Sequence, residues 1–136
     1  MRRFFVPFAL TLSLGPLAPA LAQDNPVAEA IQDYMDFAPY EAGLILPAQI
    51  TPDLRANVTF VDTRSADQFQ AETIPGAINI EWREIPARLD ALPAEGLVVL
   101  FCNTGSLSAQ ATFAARLLGR ENVVVLQGGL SGWMAR

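Results

Sequence analysis

The 136-residue sequence predicts an α/β fold: a central parallel sheet flanked by helices on both faces, three layers in all. Two observations predict it. Short apolar runs alternate along the chain with segments of helical spacing. The most apolar run, Leu97-Val98-Val99-Leu100-Phe101, has no polar face, which suits the central strand of a parallel sheet covered on both sides.

The elements follow in order. Val27 to Phe37 places Val27, Ala30, Ile31, Tyr34 and Met35 at helical spacing, and Pro39 stops that helix. Gly43 to Leu46 is a short strand, and Pro47 to Leu54 a brief helix. Val58-Thr59-Phe60-Val61 is a buried strand with Asp62 at its C-terminal end, and Ser65 caps a short helix through Phe69. Ile74 to Ile80 holds a turn and then an extended segment. Ile85 to Leu92 is expected to be helical, with Pro86 in its first turn. An alanine-rich helix spans Ser106 to Leu118 and ends at Gly119. Val123 to Leu126 is the last strand, and Gly128-Gly129 leads into a short helix carrying Trp133. No repeat or low-complexity linker interrupts the series.

The N-terminus has a different pattern. Arg2 and Arg3 precede an apolar run from Phe4 to Leu17, and Ala20 and Ala22 supply the small residues of an A-x-A cleavage site. The run is short for a bilayer-spanning helix of about 20 residues, and Pro7, Pro16 and Pro19 interrupt it. Residues 1–22 are therefore expected to be a secretory signal peptide and the protein to be periplasmic. Residues 23–42 form a helical extension, and 43–136 a single domain.

Composition narrows the chemistry. There is no histidine, no lysine and one cysteine; all nine basic residues are arginine, against fourteen carboxylates. Without histidine there is no Ser-His-Asp or Cys-His arrangement and no imidazole metal site. A lone cysteine excludes an intrachain disulfide, a CxxC redox pair and a cysteine-rich zinc site. The missing lysine excludes Schiff-base chemistry and a Walker-type phosphate lysine. Removing Arg2 and Arg3 takes the net charge from −5 to −7. That disfavours nucleic acid, and it leaves no basic surface for anionic lipid, so no membrane association is expected after signal cleavage. Glu81 and Glu84 form no recognisable acid–base pair and are read as surface residues.

The architecture points at Cys102. Parallel α/β sheets bind ligands beyond the C-terminal ends of their strands. The strands ending at Phe101 and Val61 deliver Cys102 and Asp62 to that edge. The segment Cys102-Asn103-Thr104-Gly105-Ser106-Leu107-Ser108 then closes on a helix N-terminus, whose N–H groups and dipole favour a thiolate. The same amides suit a persulfide or an anionic substrate. Asn103, Thr104, Ser106 and Ser108 can add neutral hydrogen bonds, and Gly105 permits an unusual backbone conformation. A buried, inert cysteine at a strand end is an equal reading on placement alone.

Four stretches, in order, tip that balance. Phe60-Val61-Asp62-Thr63-Arg64 resembles a strand followed by D-x-R. Glu72-Thr73-Ile74-Pro75-Gly76-Ala77-Ile78-Asn79-Ile80 resembles a G-H-I-P-G-A-x-N-I segment. Leu100 to Gly105 resembles a strand and active-site loop, and Gly128-Gly129-Leu130-Ser131-Gly132-Trp133 a closing G-G-x-x-x-W signature. Together they resemble the rhodanese-like sulfurtransferase family, single-domain exported type, over about Leu44 to Trp133. The resemblance implies a rhodanese-like three-layer fold and Cys102 as the sulfur-carrying nucleophile. It also implies a small sulfur-containing donor and a thiol or cyanide-like acceptor, or a protein acceptor. No metal or organic cofactor is implied, and a monomer is expected. On this view Asn103, Thr104, Gly105, Ser106, Leu107 and Ser108 hold substrate. Asp62 and Arg64 have a structural role near the site, Arg64 in an ion pair for which Asp67 and other acids are available.

Two departures stand out, the first tolerable because that position is not the nucleophile, the second bearing on substrate. Thr73 stands where the family usually has histidine. Leu107 stands where thiosulfate-using members often have arginine, and Ser108 where a tyrosine or dual-specificity phosphatase would need one. Phosphatase activity is therefore not expected, and activity on thiosulfate should be modest. A catalytically weak rhodanese-like module that binds a partner or senses oxidised sulfur is the competing expectation. Trp82 is expected to be partly buried packing and Arg83 a surface charge, although both could line the mouth of a pocket. Trp133 is expected in the core, and Gly128-Gly129 in a turn, since no G-x-G-x-x-G is present.

Overall fold

The computed structural model describes residues 25–136. The signal peptide expected over residues 1–22, and the first two residues of the expected helical extension, lie outside the described residues. Five parallel strands form one sheet: β1 (Leu44–Ile45), β2 (Val58–Asp62), β3 (Ile78–Asn79), β4 (Leu97–Phe101) and β5 (Val123–Leu126). Their order across the sheet is β1-β5-β4-β2-β3, so β4 is central, as its wholly apolar composition requires. Side chains of β4 alternate between two cores. Val99 and Phe101 join Ile45, Phe60, Leu126, Leu130 and Trp133 on one face. Val98 and Leu100 join Val61, Ile85, Ala111, Ala115 and Val123 on the other. Trp133 is thus a core residue, meeting Phe60 edge-on at 5.3 Å.

Five α-helices connect and cover the strands: α1 (Pro26–Phe37), α2 (Pro52–Arg55), α3 (Ala66–Ala71), α4 (Ser106–Leu117) and α5 (Gly129–Met134). Asn25 caps α1, its Oδ1 accepting from the amides of Val27 and Ala28. The expected helix from Pro47 to Leu54 is instead two pieces, a 3₁₀ turn at Pro47–Gln49 and α2. Thr51 caps α2 in extended backbone and Pro52 opens it, so the helical turn restarts there. Ser65 caps α3 as expected, and α3 runs to Ala71, past Phe69.

The expected helix over Ile85 to Leu92 is corrected more fully. It consists of two 3₁₀ segments, Trp82–Ala87 and Leu89–Ala91, beginning three residues earlier than the pattern suggests. Pro86 lies inside the first segment, where it can donate no α-helical hydrogen bond, and Arg88 breaks the turn at φ −125°.

This topology creates one switch point. The chain starts at one edge with β1, enters β2, runs outward to β3, then crosses back over β2 to β4 and continues to β5, which pairs with β1. A crevice opens between the C-terminal ends of β2 and β4, where open parallel sheets place their ligands.

Candidate active site

Cys102 follows the last residue of β4 and lies at that crevice, 3% exposed. The loop Cys102-Asn103-Thr104-Gly105 turns the chain back into α4. Gly105 makes the turn with φ +99°, a conformation a side chain would oppose, and a Cβ there would lie 3.3 Å from the Leu126 carbonyl. The Gly105 N–H donates to Cys102 Sγ at 3.2 Å, and Ser108 Oγ lies 3.5 Å from the same sulfur. Ser108 Oγ also lies 3.1 Å from the Gly105 carbonyl. A hydroxyl has one proton, so these two acceptors compete for it, and a thiolate is the stronger acceptor.

Burial pushes the Cys102 thiol up. The hydroxyl and amide of Ser108, with the amides of Thr104 and Gly105, more than offset it, so the thiol lies below its ordinary range. The first turn of α4 thus favours the sulfur as an anion, without a histidine.

On the β2 side, Asp62 is fully buried and Arg64 7% exposed. Arg64 Nε and Nη2 donate to the two carboxylate oxygens of Asp62 at 3.0 and 2.7 Å, a bidentate pair. Its partner is therefore Asp62 and not Asp67: a spacing of two at a strand end brings the Arg64 and Asp62 side chains together, whereas Asp67 is exposed on α3. Nη2 also reaches the carbonyls of Gln68 and Glu72. Nη1 donates to Asn103 Oδ1 at 3.1 Å. Hydrogen bonding to Asp62 raises the Arg64 pKa against burial, with Asp62, Glu72 and Cys102 charges adding to it. Thr73, standing in for histidine, donates its hydroxyl to Asp62 Oδ2 at 2.8 Å. Asn79 Nδ2 donates to the carbonyls of Asp62 and Arg64, both at 2.9 Å.

A cleft of about 320 Å³ opens over the sulfur. Its lining brings together Cys102, Asn103, Thr104, Ser106, Leu107 and Arg64, together with Trp82 and Arg83. Gly105 and Ser108 lie beneath it, both buried. Of the six loop residues expected to hold substrate, only Ser108 brings a side chain to the sulfur, and the Asn103 carboxamide oxygen is taken up by Arg64. Leu107 is 39% exposed and presents an apolar wall. Trp82 both packs against the lower core and lines the cleft, and Arg83 is an exposed charge paired with Glu81 at 3.0 Å. Glu84 pairs with Arg88 outside the cleft, so Glu81 and Glu84 do not converge on a common substrate. Among the described residues no cluster of three His, Cys, Asp or Glu side chains could hold a metal ion.

The sequence pattern passed over one functional pair. Gly128-Gly129 is a turn, but one that locks the active-site loop. Gly129 has φ +56°, and a Cβ there would lie 2.5 Å from the Cys102 carbonyl oxygen and 2.8 Å from Asn103. The amides that follow donate to these same carbonyls, Leu130 to Cys102 at 2.8 Å and Ser131 to Asn103 at 3.0 Å. The spacing of the closing signature, with two glycines directly after a strand, is the signal for this close approach.

The family model for the rhodanese-like domain matches residues 46–136. A sulfurtransferase from Allochromatium vinosum is 31% identical over 77 residues, covering 57% of this chain and 72% of the relative. The human thiosulfate:glutathione sulfurtransferase is 29% identical over 109 residues, covering 66% and 95%. The structure of a human single-domain sulfurtransferase superimposes with a TM-score of 0.60 at 28% identity, covering 70% of this chain and 97% of the other. The chain spans only 19% and 34% of two longer curated relatives, in which the matching part is one portion of a larger protein.

Proposed function

The chain belongs to the rhodanese-like domain family, and on that premise we propose that it is a sulfurtransferase that carries sulfane sulfur as a persulfide on Cys102. The observation that carries the reading is the sulfur itself: it sits at the switch point of the sheet, hydrogen-bonded by Gly105 N–H and faced by Ser108 Oγ. In the first half-cycle the Cys102 thiolate attacks the outer sulfur of the donor. A new S–S bond forms, the donor's S–S bond breaks, and its electron pair leaves with the donor fragment. From an organic persulfide the leaving fragment is a thiolate; from thiosulfate it is sulfite. In the second half-cycle a thiol or cyanide attacks the outer sulfur of the persulfide and Cys102 departs as thiolate. No net oxidation occurs. The amides that hold the thiolate also suit the persulfide anion, so neither histidine nor a second cysteine is needed.

The cleft supports a donor of low charge. Three of the bonds that satisfy Arg64 go to Asp62, Gln68 and Glu72, Arg83 is paired with Glu81, and Leu107 offers no charge at all. A dianion such as thiosulfate would rest on neutral amides, whereas an organic persulfide brings one charge and an apolar stem that Leu107 and Trp82 can cover. The test is a steady-state comparison of thiosulfate, mercaptopyruvate and an organic persulfide or polysulfide, each with cyanide or a thiol as acceptor. Efficient turnover of the persulfide with weak use of thiosulfate is expected. High turnover at low thiosulfate would contradict the donor assignment.

The pattern of Arg2-Arg3, the Phe4–Leu17 run and Ala20-x-Ala22 supports export to the periplasm with cleavage after Ala22. N-terminal sequencing of the protein recovered from a periplasmic extract should begin at Gln23. Recovery in the cytoplasm with residues 1–22 intact would contradict it.

A further inference from the structure

We infer that Asn103 is a positioning residue for the Cys102 sulfur and not a substrate contact. Two of its groups are spent on the protein. Its side-chain Oδ1 accepts from Arg64 Nη1 at 3.1 Å, and its main-chain carbonyl accepts from the Ser131 N–H at 3.0 Å. The residue immediately after the nucleophile is therefore anchored to two elements distant in sequence, the entry to α3 and the first turn of α5.

Both anchors are stiff. Arg64 is held by both oxygens of buried Asp62, and Asp62 in turn accepts from Thr73. On the other side the Leu130 N–H holds the Cys102 carbonyl at 2.8 Å, and Gly129 approaches so closely that no side chain fits between. The amide of Gly105, which reaches the sulfur at 3.2 Å, lies only two residues beyond Asn103. Hydrogen bonds weaken steeply as their angle closes. A loop free to rotate at Asn103 would misalign that donor while leaving the fold in place.

The charged groups facing the sulfur are few. Arg64, backed by Asp62 and Glu72, stands on the β2 and α3 side, and the Glu81–Arg83 pair also lines the cleft. The first turn of α4 and the whole of α5 contribute no charged side chain. The acidity of the thiol thus depends on how well the loop aims its neutral donors, and Asn103 sets that aim. The inference rests on the sulfur-transfer reading only for its rate measurement.

The test is the pH dependence of Cys102 alkylation by iodoacetamide, in which the thiolate forms an S–C bond and iodide leaves. It compares the wild type, Asn103→Ala and Ser131→Pro. Ser131 is the third residue of α5, where its N–H makes no helical bond, so proline there deletes the donor to the Asn103 carbonyl and loosens the α5 side of the loop. In each variant the alkylation midpoint should move up by about half a unit to one unit. Turnover at saturating donor should fall about three- to tenfold with KM changed less than about twofold. Cooperative melting of both variants shows that the fold survives. A raised KM with an unmoved midpoint in Asn103→Ala would make Asn103 a substrate contact and overturn the inference. An unmoved midpoint in Ser131→Pro would overturn the two-sided anchoring. Alkylation needs no sulfur donor, so absent turnover with shifted midpoints would count against the sulfur-transfer reading alone.

Discussion

Residues 102–105 have no apolar periodicity, yet Cys102 is 3% exposed and the loop is pinned at Cys102, Asn103 and Gly105. Helix α1 has clear helical spacing, yet none of its residues is buried, and Phe37 at its end is 86% exposed. The loop is fixed by directional contacts: the Arg64–Asn103 bond, the amides of Leu130 and Ser131, and glycines that permit close approach. The helix is held chiefly through Tyr34 against α4. Tyr34 meets Phe113 edge-on at 5.3 Å and accepts from Arg116 Nε at 2.9 Å, while Arg116 also binds the carbonyls of Glu121 and Val123. Amphipathic spacing tells that a segment is helical and which side would face a neighbour. It does not tell how firmly the segment is held. Buried hydrogen bonds and steric fit decide that, and they gather around the sulfur.

Substitutions can break this comparison. The largest effect is expected at Arg64. Arg64→Ala leaves the fully buried Asp62 carboxylate without its cation, which should cost about 3–5 kcal/mol in a denaturant melt. A loss below about 1 kcal/mol would place the pair with ordinary surface ion pairs. Next comes Gly129→Ala. A methyl group at φ +56° and 2.5 Å from the Cys102 carbonyl forces the loop away from α5. A destabilisation of about 2–3 kcal/mol is expected, accompanied by slower alkylation of Cys102. Unchanged stability would mean that α5 does not brace the loop.

Leu107→Arg is a smaller change and acts on substrate. A guanidinium on the wall of the cleft should raise kcat/KM for thiosulfate about tenfold, some 1.4 kcal/mol, within the range of a charge-assisted hydrogen bond. The organic persulfide should gain little. If thiosulfate use stayed flat, the low-charge cleft would not be what limits it. The smallest effect belongs to the helix. Tyr34→Phe removes only the hydroxyl that Arg116 reaches, so thermal unfolding should change by about 0.5–1 kcal/mol and transfer rates should not move. A large loss of transfer would show that α1 is coupled to the active site after all.

The same contrast explains what was legible in the sequence. The strands ending at Asp62 and Phe101 were legible because apolar runs with no polar face have one stable place in a parallel sheet. Cys102 followed from them, since the sheet's topology puts strand ends at the ligand edge. The helix expected over Ile85–Leu92 came out as two 3₁₀ segments because Pro86 cannot donate the bond an α-helix needs there. Arg64 pairs with Asp62, a partner that depends on side-chain direction at a strand end, which spacing alone does not carry. The clamp of Gly129 on the loop joins residues 27 positions apart through backbone atoms, and no side-chain pattern records such a contact. Thr73 makes the same point, since a hydroxyl on the Asp62 carboxylate is invisible until the fold brings them together.

The central claim is that Cys102 carries sulfur, and intact-mass spectrometry tests it most directly. After exposure to an organic persulfide or polysulfide, the protein should gain about 32 Da, one sulfur atom. The gain should localise to Cys102, disappear on adding cyanide or a thiol, and be absent from Cys102→Ser. A protein that gains no sulfur from any donor, or a Cys102→Ser variant that still turns over, would contradict the account.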